Sequence, residues 1–317
     1  MTEHNRPLLS VIVPLYDEEQ VISEMYSRLS SVLDHHRFDY EVVLINDGSR
    51  DRTEELAKTL CRKDPRVKLI TFSRNFGHQI AVTAGLDRAA GQAVVVIDAD
   101  LQDPPEVIVD MIRKWREGSQ VVYGVRVKRK GESLFKRLTA ATYYRLIRRL
   151  TKVDIPVDTG DFRLMDRQVV DQLLTMREHN RFLRGMVSWI GFKQEKVEYV
   201  RDERFAGETK YPFRKMLRFA IDGILSFSEV PLKISSVFGL LCALLSFSLI
   251  VYGLIVKLLY PEYAIAGWAS VFTAVLFLGG VQLVCVGIVG EYLGRVYDEI
   301  KGRPLYIVRE EVNFNKR

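Results

Sequence analysis

The sequence predicts an α/β protein with an open, doubly wound and mostly parallel sheet, followed by amphipathic interfacial helices and a hairpin of two transmembrane helices. In the first 125 residues, short runs rich in Val and Ile alternate with stretches of helical spacing, a succession typical of doubly wound sheets. Further along, residues 234–256 and 263–290 contain no Asp, Glu, Lys or Arg. These runs of 23 and 28 residues are long enough to cross a bilayer.

Five runs are too continuously apolar for strands that have one face in water. They are predicted to form a sheet that helices cover on both faces. In chain order, the predicted strands are Leu9–Val13, Glu41–Ile45, Val67–Phe72, Ala93–Ile97 and Gln120–Val125. Between them, the predicted helices are Glu18–Leu33, Arg52–Arg62, Gln79–Ala90 and Pro104–Trp115. A sheet of this kind binds ligands beyond the C-terminal ends of its strands.

A strongly basic segment, residues 126–152, follows the fifth predicted strand. It contains ten basic residues against Glu132 alone, a local charge of +9 in a chain whose net charge is +6. Within it, residues 131–150 have apolar side chains at steps of three and four, which predicts a basic amphipathic helix on an anionic membrane surface. The alternative is an ordinary solvated helix packed on the sheet. Residues 211–230 predict a second amphipathic helix beside the membrane.

The two uncharged runs predict transmembrane helices over residues 231–257 and 265–292. Basic residues precede the first run and follow the second, whereas the short connection has none beyond Lys257 at its edge. By the positive-inside rule, both termini are expected in the cytoplasm. The predicted organisation is therefore a cytoplasmic domain over 1–210, the juxtamembrane helix, the two spans, and a cytoplasmic tail over 293–317.

Several classes of protein are disfavoured by patterns that the sequence lacks. No two glycines are separated by one residue and no Gly-Lys pair occurs, which excludes a dinucleotide fingerprint and a P-loop. Three cysteines, two of them in the apolar runs, indicate neither a disulfide framework nor a zinc site. The first nine residues lack the apolar core of a cleaved signal peptide. No nucleic-acid partner is expected, because the basic block adjoins an apolar stripe and a membrane anchor.

Two carboxylates directly follow the fourth predicted strand, in the segment Asp98-Ala99-Asp100-Leu101-Gln102. Because this strand ends at the ligand-binding edge of the sheet, Asp98 and Asp100 are expected to face a ligand. Carboxylate oxygens suit Mg²⁺ or Mn²⁺ held jointly with substrate phosphates. The segment therefore predicts a divalent metal site.

Polar residues also follow the first and second predicted strands, in segments 14–18 and 45–49. Both segments are expected at the same edge of the sheet as the two carboxylates. That edge suits a nucleoside, with Tyr16 beside the base and Asp47 accepting hydrogen bonds from the base or the ribose. Alone, residues 46–49 are typical of a turn.

Together these motifs resemble those of family 2 glycosyltransferases, which have the GT-A fold. The matching segments are 14–18, 46–49, 98–103, Thr159-Gly-Asp161-Phe-Arg163-Leu and Arg204-Phe-Ala-Gly-Glu-Thr-Lys210-Tyr. More narrowly, the chain is similar to polyprenyl-phosphate glycosyltransferases, the group that contains dolichol-phosphate mannose synthase and bacterial bactoprenol glucosyltransferase. The two C-terminal spans fit the bactoprenol branch, and the resemblance covers essentially the whole chain.

The resemblance implies a role for each matching position. Nucleoside contacts are expected from Pro14, Tyr16, Glu18, Ile45 and Asp47. The metal is expected on Asp98, Asp100 and Gln102, with Asp98 and Ala99 also in the nucleotide-sugar site. The phosphates are expected to meet Arg126, Arg204 and Lys210. Catalytic roles are expected for Asp100, Asp161 and Arg163, the last two in an acceptor-side motif where the role of Asp161 varies within the group.

The implied reaction is the inverting transfer of one hexose from UDP-glucose to undecaprenyl phosphate, with Mg²⁺ or Mn²⁺, at the cytoplasmic face of the membrane. The chain lacks the Q-x-x-R-W signature of processive synthases, which favours transfer of a single sugar. Alternatives are another donor, such as GDP-mannose, UDP-N-acetylglucosamine or a UDP-aminoarabinose, and a membrane-tethered module that binds nucleotide sugar or lipid without catalysis. The bactoprenol relatives imply a homotetramer. His78 is expected either near the nucleotide or simply in a turn.

Overall fold

The computed structural model describes residues 8–126, 159–200, 228–259 and 267–314. They divide into two compact units, an α/β domain and a helical hairpin. The α/β domain is built from residues 8–126, 159–200 and 303–314, and the hairpin from 228–259 and 267–302. The basic segment beyond Arg126, the motif at 204–210 and residues 211–227 lie outside the described residues.

One eight-stranded sheet forms the core of the α/β domain. Its strands are β1 (Leu9–Leu15), β2 (Tyr40–Asn46), β3 (Val67–Phe72), β4 (Ala93–Val96), β5 (Val121–Arg126), β6 (Thr159–Asp166), β7 (Gln194–Tyr199) and β8 (Val308–Val312). Their order across the sheet is β7-β5-β6-β4-β1-β2-β3-β8. Six strands point the same way, while β6 and β8 run antiparallel to their neighbours. The predicted α/β sheet is confirmed, and β1 to β5 match the five predicted strands to within two residues.

Six helices accompany the sheet: α1 (Ile22–His35), α2 (Thr53–Lys63), α3 (His78–Arg88), α4 (Val107–Arg116), α5 (Arg167–Thr175) and α6 (Leu183–Ile190). The first four correspond to the predicted helices. In α1, the buried residues Ile22, Met25, Leu29 and Leu33 recur every three or four positions, so they form the single apolar stripe that packs on the core.

The strands that carry the polar exit segments are completely buried. All seven residues of β1 and all seven of β2 are buried, as their continuously apolar sequence predicts. Burying one side chain such as Ile12 or Leu44 contributes about 1.5–3 kcal/mol. Because β4, β1 and β2 are adjacent and parallel, their C-terminal ends present three polar segments side by side on a rigid base.

The antiparallel strand β6 is inserted between β4 and β5. Its register places Arg163 opposite Val96, the last residue of β4. Since β6 runs in the opposite direction, its first residues lie beyond the end of β4. This insertion brings Asp161 next to Asp98, although 63 positions separate them in the chain.

The hairpin unit consists of α7 (Val230–Leu259) and α8 (Trp268–Ile300). Both are long and apolar enough to be candidate membrane spans. Large apolar side chains on them are exposed, Leu283 to 75%, as expected of helices whose natural surroundings are lipid. Near the open end of the hairpin, the Tyr292 hydroxyl donates to the Ser228 carbonyl at 2.6 Å. α7 begins one residue before the predicted span 231–257 and ends two residues after it. α8 begins three residues after the start of the predicted span 265–292 and continues into the predicted tail.

After α8 the chain returns to the α/β domain as β8. This strand pairs with β3 and so covers an edge of the sheet. Glu310 pairs with Lys58 at 2.6 Å, and Asn313 donates to the carbonyls of Cys61 and Val67, both at 2.8 Å. β3 therefore offers no free ladder of backbone groups to another chain, and β8 forms the edge of the sheet.

Truncation after Gly302 is expected to destabilise the α/β domain. It removes β8 and the two Asn313 hydrogen bonds, each worth about 1 kcal/mol, so the unfolding midpoint should fall by roughly 5–10 °C. Differential scanning calorimetry in detergent measures this shift. A chain that ends at Phe314 keeps every contact of β8 and should melt like the full chain. Equal midpoints for the two truncated chains would contradict a stabilising role for β8.

Candidate active site

The segment predicted to bind a metal, residues 98–102 and here called the metal motif, lies in a tight turn after β4. Leu101 has a left-handed backbone with φ of 57°, which costs a non-glycine residue on the order of 1 kcal/mol. Its side chain is 95% buried in the core, and this burial holds the turn in place. The two residues that flank Leu101 are joined by a hydrogen bond, in which the Gln102 backbone amide donates to the Asp100 carboxylate at 3.2 Å. The motif is thus a turn that a buried side chain and a hydrogen bond hold together.

The carboxyl of Asp98 lies among other carboxyls. Burial raises its pKa to about 6, against the opposing effect of the nearby His78. Three neighbouring carboxyls add to the rise, those of Asp161, Asp103 and Asp100. Negative charges that crowd together in this way are relieved by a cation.

The donor set fits a divalent metal of the kind predicted. Asp98, Asp100 and the Gln102 amide offer hard oxygen ligands, which Mg²⁺ and Mn²⁺ prefer. Within the described part of the chain, no group of three or more His, Cys, Asp or Glu side chains is arranged to hold a metal. Asp98, Asp100 and Gln102 would share a bound metal with substrate phosphates and water, as is common for Mg²⁺.

The loops after β1 and β2 are joined by hydrogen bonds. The Asp17 amide donates to Ser49 Oγ at 3.0 Å, and the Arg50 amide donates to Asp17 Oδ1 at 2.7 Å. The Glu18 amide donates to Thr53 Oγ1 at 2.8 Å. Within the strands, Pro14 lies opposite Ile45. The five residues predicted to meet the nucleoside thus lie on two adjacent, mutually fixed exits.

Asp47 connects the loop between β3 and α3 to the loops after β1 and β2. It is 97% buried, and its two carboxylate oxygens accept from the Phe76 amide at 2.6 Å and the Gly77 amide at 2.9 Å. Burial raises the pKa of Asp47, while these two backbone donors lower it. Asp47 therefore fixes the loop between β3 and α3, a task that the sequence did not indicate.

Gly48→Ala is expected to disturb the nucleoside side of the site. Gly48 has φ of 68°, and an added Cβ would lie 2.6 Å from the backbone carbon of Arg74. The loop that Asp47 holds would have to shift, so the KM for the nucleotide sugar should rise about tenfold and stability should fall by about 1–3 kcal/mol. Initial-rate kinetics and thermal unfolding measure the two effects.

Gly118→Ala is the matched control for this substitution. Gly118 also has positive φ, 100°, but no atom lies within 4 Å of an added Cβ. Backbone strain alone should lower stability by about 1 kcal/mol and leave the KM unchanged. The same KM for both variants would show that the contact of Gly48 with the Arg74 loop does not shape the site.

Asp161 is surrounded by donors. Its Oδ1 accepts from Arg184 Nε at 2.8 Å, and its Oδ2 lies 3.1 Å from both His78 Nε2 and Gln79 Nε2. Burial alone would raise the pKa of Asp161, but Arg184 and His78 hold it well below its usual range. An ionised carboxylate with both oxygens engaged is suited to holding its partners in place.

His78 lies between the metal motif and Asp161. Its Nε2 is 3.8 Å from Asp98 Oδ1 and 3.1 Å from Asp161 Oδ2. Burial alone would lower its pKa, but the hydrogen bond to Asp161 and the charge of Asp98 raise it to about 9. The structure thus places His78 at the same edge of the sheet as Asp98 and Asp161, and its proximity to a nucleotide stays a prediction.

Arg163 and Arg126 both lie close to Gly160. Arg163 is 94% buried and donates to the Gly160 carbonyl at 3.1 Å. Burial lowers its pKa to about 10, so it stays charged at neutral pH. The Arg126 guanidinium lies 2.8 Å from where a Gly160 Cβ would stand. A larger residue at position 160 would therefore displace Arg126.

Asp103 anchors Arg126. The Asp103 side chain is 99% buried; it accepts from the Tyr199 hydroxyl and lies 3.4 Å from Arg126 Nη2. The Tyr199 hydroxyl also accepts from Arg126 Nε at 3.2 Å. Burial alone would lower the pKa of Arg126, but Asp103 and Tyr199 raise it. Arg126, predicted to meet the phosphates, is thus held rigidly beside the metal motif.

The sequence model of glycosyl transferase family 2 matches residues 10–174, more than half of the chain. This span contains the metal motif, both nucleoside segments and Asp161. The chain belongs to glycosyltransferase family 2. A second model, the GtrB C-terminal hairpin, matches residues 230–296, which cover α7 and most of α8.

Relatives of this family 2 glycosyltransferase match over nearly their whole length. An uncharacterized glycosyltransferase of Bacillus subtilis, YkcC, is 55% identical over 97% of this chain and 95% of its own. The prophage bactoprenol glucosyl transferase homolog of Escherichia coli is 42% identical over 95% of this chain and 98% of its own. The bactoprenol glucosyl transferase of Shigella phage SfV is 42% identical over 96% and 98%.

Among solved structures, glucosyl-3-phosphoglycerate synthase from Mycobacterium tuberculosis, in complex with Mn²⁺, UDP-glucose and phosphoglyceric acid, is 20% identical, with a TM-score of 0.47 over 70% of this chain and 78% of that one. The α/β domain of the present chain is a mixed sheet of GT-A type, as expected of a family 2 glycosyltransferase.

Most of the predicted site residues of this glycosyltransferase lie at one edge of the sheet. Pro14, Tyr16, Glu18, Ile45, Asp47, Asp98, Ala99, Asp100, Gln102, Asp161 and Arg163 are found at the exits of β1, β2 and β4 or at the start of β6. Arg126 reaches them from the end of β5. Arg204 and Lys210 lie outside the described residues. The functional role of each position remains a prediction.

Four residues of the site received no role from the sequence. Asp103 directly follows the metal motif and lies in the matching segment 98–103, so its place at a strand exit was the signal for it. Gln79 directly follows His78, for which the sequence allows a place near the nucleotide or in a turn. The sequence predicts that the segment around Arg184, residues 181–189, is a packing or membrane-proximal element rather than a chemical one, and it gives no signal for Tyr199. Only the folding of α6 and β7 against the rest of the sheet brings these two residues to the site.

Proposed function

We propose that this glycosyltransferase transfers one glucose from UDP-glucose to undecaprenyl phosphate, with inversion, at the cytoplasmic face of the membrane. One observation above all supports this reading. A pair of carboxylates suited to a metal-bound diphosphate, Asp98 and Asp100, lies beside a second cluster in which cations surround Asp161. A donor and an anionic acceptor thus each have a complementary partner at one edge of the sheet.

The relatives support the choice of substrates. Several proteins that match this chain over 95% of its length bear the name bactoprenol glucosyl transferase. The match includes the hairpin, which would keep the site close to a lipid acceptor. The two apolar helices and the basic segment 126–152 are suited to an anionic bilayer.

The chemistry needs little proton transfer. A phosphomonoester has a second pKa of about 6, so the acceptor is largely ionised at neutral pH. Its oxygen would attack the anomeric carbon as the bond from that carbon to the diphosphate breaks, and the electron pair would leave with UDP. Asp98 and Asp100 would hold Mg²⁺ or Mn²⁺, which neutralises the charge of the leaving diphosphate. The protein's main task is to place two anions in line.

Different residues of the chain would position the donor and the acceptor. The linked exits of β1 and β2, with Asp47, would fix the nucleoside. Arg126, anchored by Asp103, would meet the phosphates, and Arg204 and Lys210 are proposed to extend the cationic path for the lipid phosphate. Without such cations, the approach of a dianion to a diphosphate is opposed by like charge.

The hairpin would cross the membrane twice. The chain leaves the α/β domain before α7 and rejoins it after Gly302, so two crossings keep both parts of the domain on one side. The basic residues that flank the hairpin favour the cytoplasm for that side. A homotetramer is part of the proposal, and native mass spectrometry in detergent tests it.

Transfer assays with a panel of donors test this function. Purified full-length protein, Mg²⁺ or Mn²⁺, and undecaprenyl phosphate are incubated with UDP-glucose, UDP-N-acetylglucosamine, a UDP-aminoarabinose or GDP-mannose. The expected result is metal-dependent formation of a glucosyl lipid phosphate together with UDP. Preferential turnover of another donor would replace glucose in the proposal. Binding of the donors without transfer from any of them would instead favour a non-enzymatic module.

A further inference from the structure

A cluster of positive charges around Asp161 has no assigned ligand. Arg184 donates to Asp161 Oδ1 at 2.8 Å, and Arg163 lies close enough for its charge to interact with Asp161. Among the described residues, two permanent cations, Arg184 and Arg163, thus lie near the Asp161 carboxylate. His78 connects the cluster to Asp98 through contacts of 3.1 and 3.8 Å.

The two arginines differ in accessibility. Arg163 is 94% buried and donates to the backbone of Gly160. The Arg184 side chain keeps 25% of its surface exposed, whereas Asp161 beneath it keeps only 11%. A guanidinium has five N–H donors in a planar fork and can bind a carboxylate and a phosphate together. Arg184 is therefore the cation of this cluster that an incoming anion meets.

The other charged groups around Asp98 have a partner in the structure or a ligand in the proposed function. Arg126 is held by Asp103 and Tyr199 on the side of β5. Asp98 and Asp100 would be occupied with the metal and the donor diphosphate. An acceptor phosphate that reaches this edge needs a separate cation within reach, because like charges repel strongly at short range.

We propose that Arg184 binds the phosphate of the acceptor, with Asp161 as the positioning residue that holds its guanidinium. This subsite rests on the proposed function, since it presumes a phosphomonoester acceptor. It gives Asp161 a task that requires no proton transfer. It also extends the site to α6, which carries none of the residues predicted from the sequence.

Steady-state kinetics of Arg184→Gln test the subsite. Loss of a charge-assisted hydrogen bond should raise the KM for undecaprenyl phosphate about 10- to 100-fold and leave the KM for the donor within twofold. Arg184→Lys keeps a point charge without the planar fork and should fall between the wild type and Arg184→Gln. An unchanged acceptor KM in Arg184→Gln would overturn the subsite.

A double-mutant cycle separates phosphate binding from a structural role. If Asp161 acts through Arg184, Asp161→Asn should raise the acceptor KM, and the double variant should be no worse than Arg184→Gln alone. Fully additive effects, or equal changes in donor and acceptor KM, would overturn the assignment. Arg177→Gln is the matched control, because Arg177 pairs with Asp87 of α3 away from the site. It should leave both KM values unchanged.

Farnesyl phosphate, as a competitor in the transfer assay, shows which part of the acceptor is recognised. If Arg184 binds the phosphate, the inhibition constant of farnesyl phosphate should rise in Arg184→Gln by about the same factor as the KM for the acceptor. An unchanged constant would overturn the subsite. Failure of the wild type to transfer any hexose to undecaprenyl phosphate would instead overturn the proposed function, so the two outcomes are distinguishable. If Arg184→Gln does not fold, the same KM values and inhibition constant are compared between the wild type and Arg184→Lys.

Discussion

Asp100→Asn is expected to lower kcat for hexose transfer by at least about a thousandfold. The change keeps an oxygen that can accept the hydrogen bond of the Gln102 amide, so the turn should persist. It removes one of the two charges that would hold the metal, and with it several kcal/mol of transition-state stabilisation. Each 1.36 kcal/mol corresponds to a factor of ten in rate. UDP release at saturating donor, acceptor and Mn²⁺ measures the loss.

Asp110→Asn is a matched control for this result. Asp110 is a half-exposed residue of α4 that pairs with Arg113 on the same helix. Surface pairs of this kind contribute less than about 1 kcal/mol, so kcat should stay near that of the wild type. Near-normal turnover by Asp100→Asn would remove the metal assignment from Asp100.

Asp103→Ala is expected to lower both stability and donor affinity. It leaves the Arg126 guanidinium and the Tyr199 hydroxyl without their shared acceptor. Breaking a buried ion pair costs about 3–5 kcal/mol, but Arg126 is 30% exposed, and solvent reduces this to about 2–3 kcal/mol. The unfolding midpoint should fall by roughly 5–10 °C. The KM for the nucleotide sugar should rise several-fold, because Arg126 loses its fixed position.

Tyr199→Phe tests one part of the same arrangement. It removes the hydroxyl and keeps the ring that packs edge-on against Phe162. The cost should be about 1 kcal/mol, and the ion pair of Asp103 with Arg126 should preserve donor affinity. If both variants lost the same stability and left the donor KM unchanged, Asp103 would have only a structural role.

The first half of the fold could be predicted because its strands are buried on both faces. Continuous apolar runs such as Val42–Ile45 mark these strands without reference to their partners. The sequences of β7 and β8 contain no such apolar run. β7 reads Gln-Glu-Lys-Val-Glu-Tyr and β8 reads Val-Arg-Glu-Glu-Val, and both are edge strands with polar faces. Their place is set by pairing with distant partners, which local patterning does not encode.

The candidate site also has a part that the sequence could predict and a part that it could not. Residues at strand exits could be predicted, because parallel strands deliver their C-terminal ends to one edge. The contact of Asp161 with His78 could not, because it depends on the insertion of the antiparallel β6 between β4 and β5. Nor could the anchoring of Arg126, since Tyr199 reaches Asp103 from the last residue of β7. Single-residue patterns reveal neither of these tertiary contacts.

The return of the chain as β8 has a consequence for biosynthesis. Leu69 of β3 pairs with Val312 of β8, about 240 residues later, and the whole hairpin is made in between. At ~5–20 residues per second, the ribosome needs more than about ten seconds to supply the missing strand. During this interval the edge of β3 is open to other chains. Synthesis of the hairpin thus precedes completion of the sheet, so a nascent chain arrested before β8 would carry an unfinished domain.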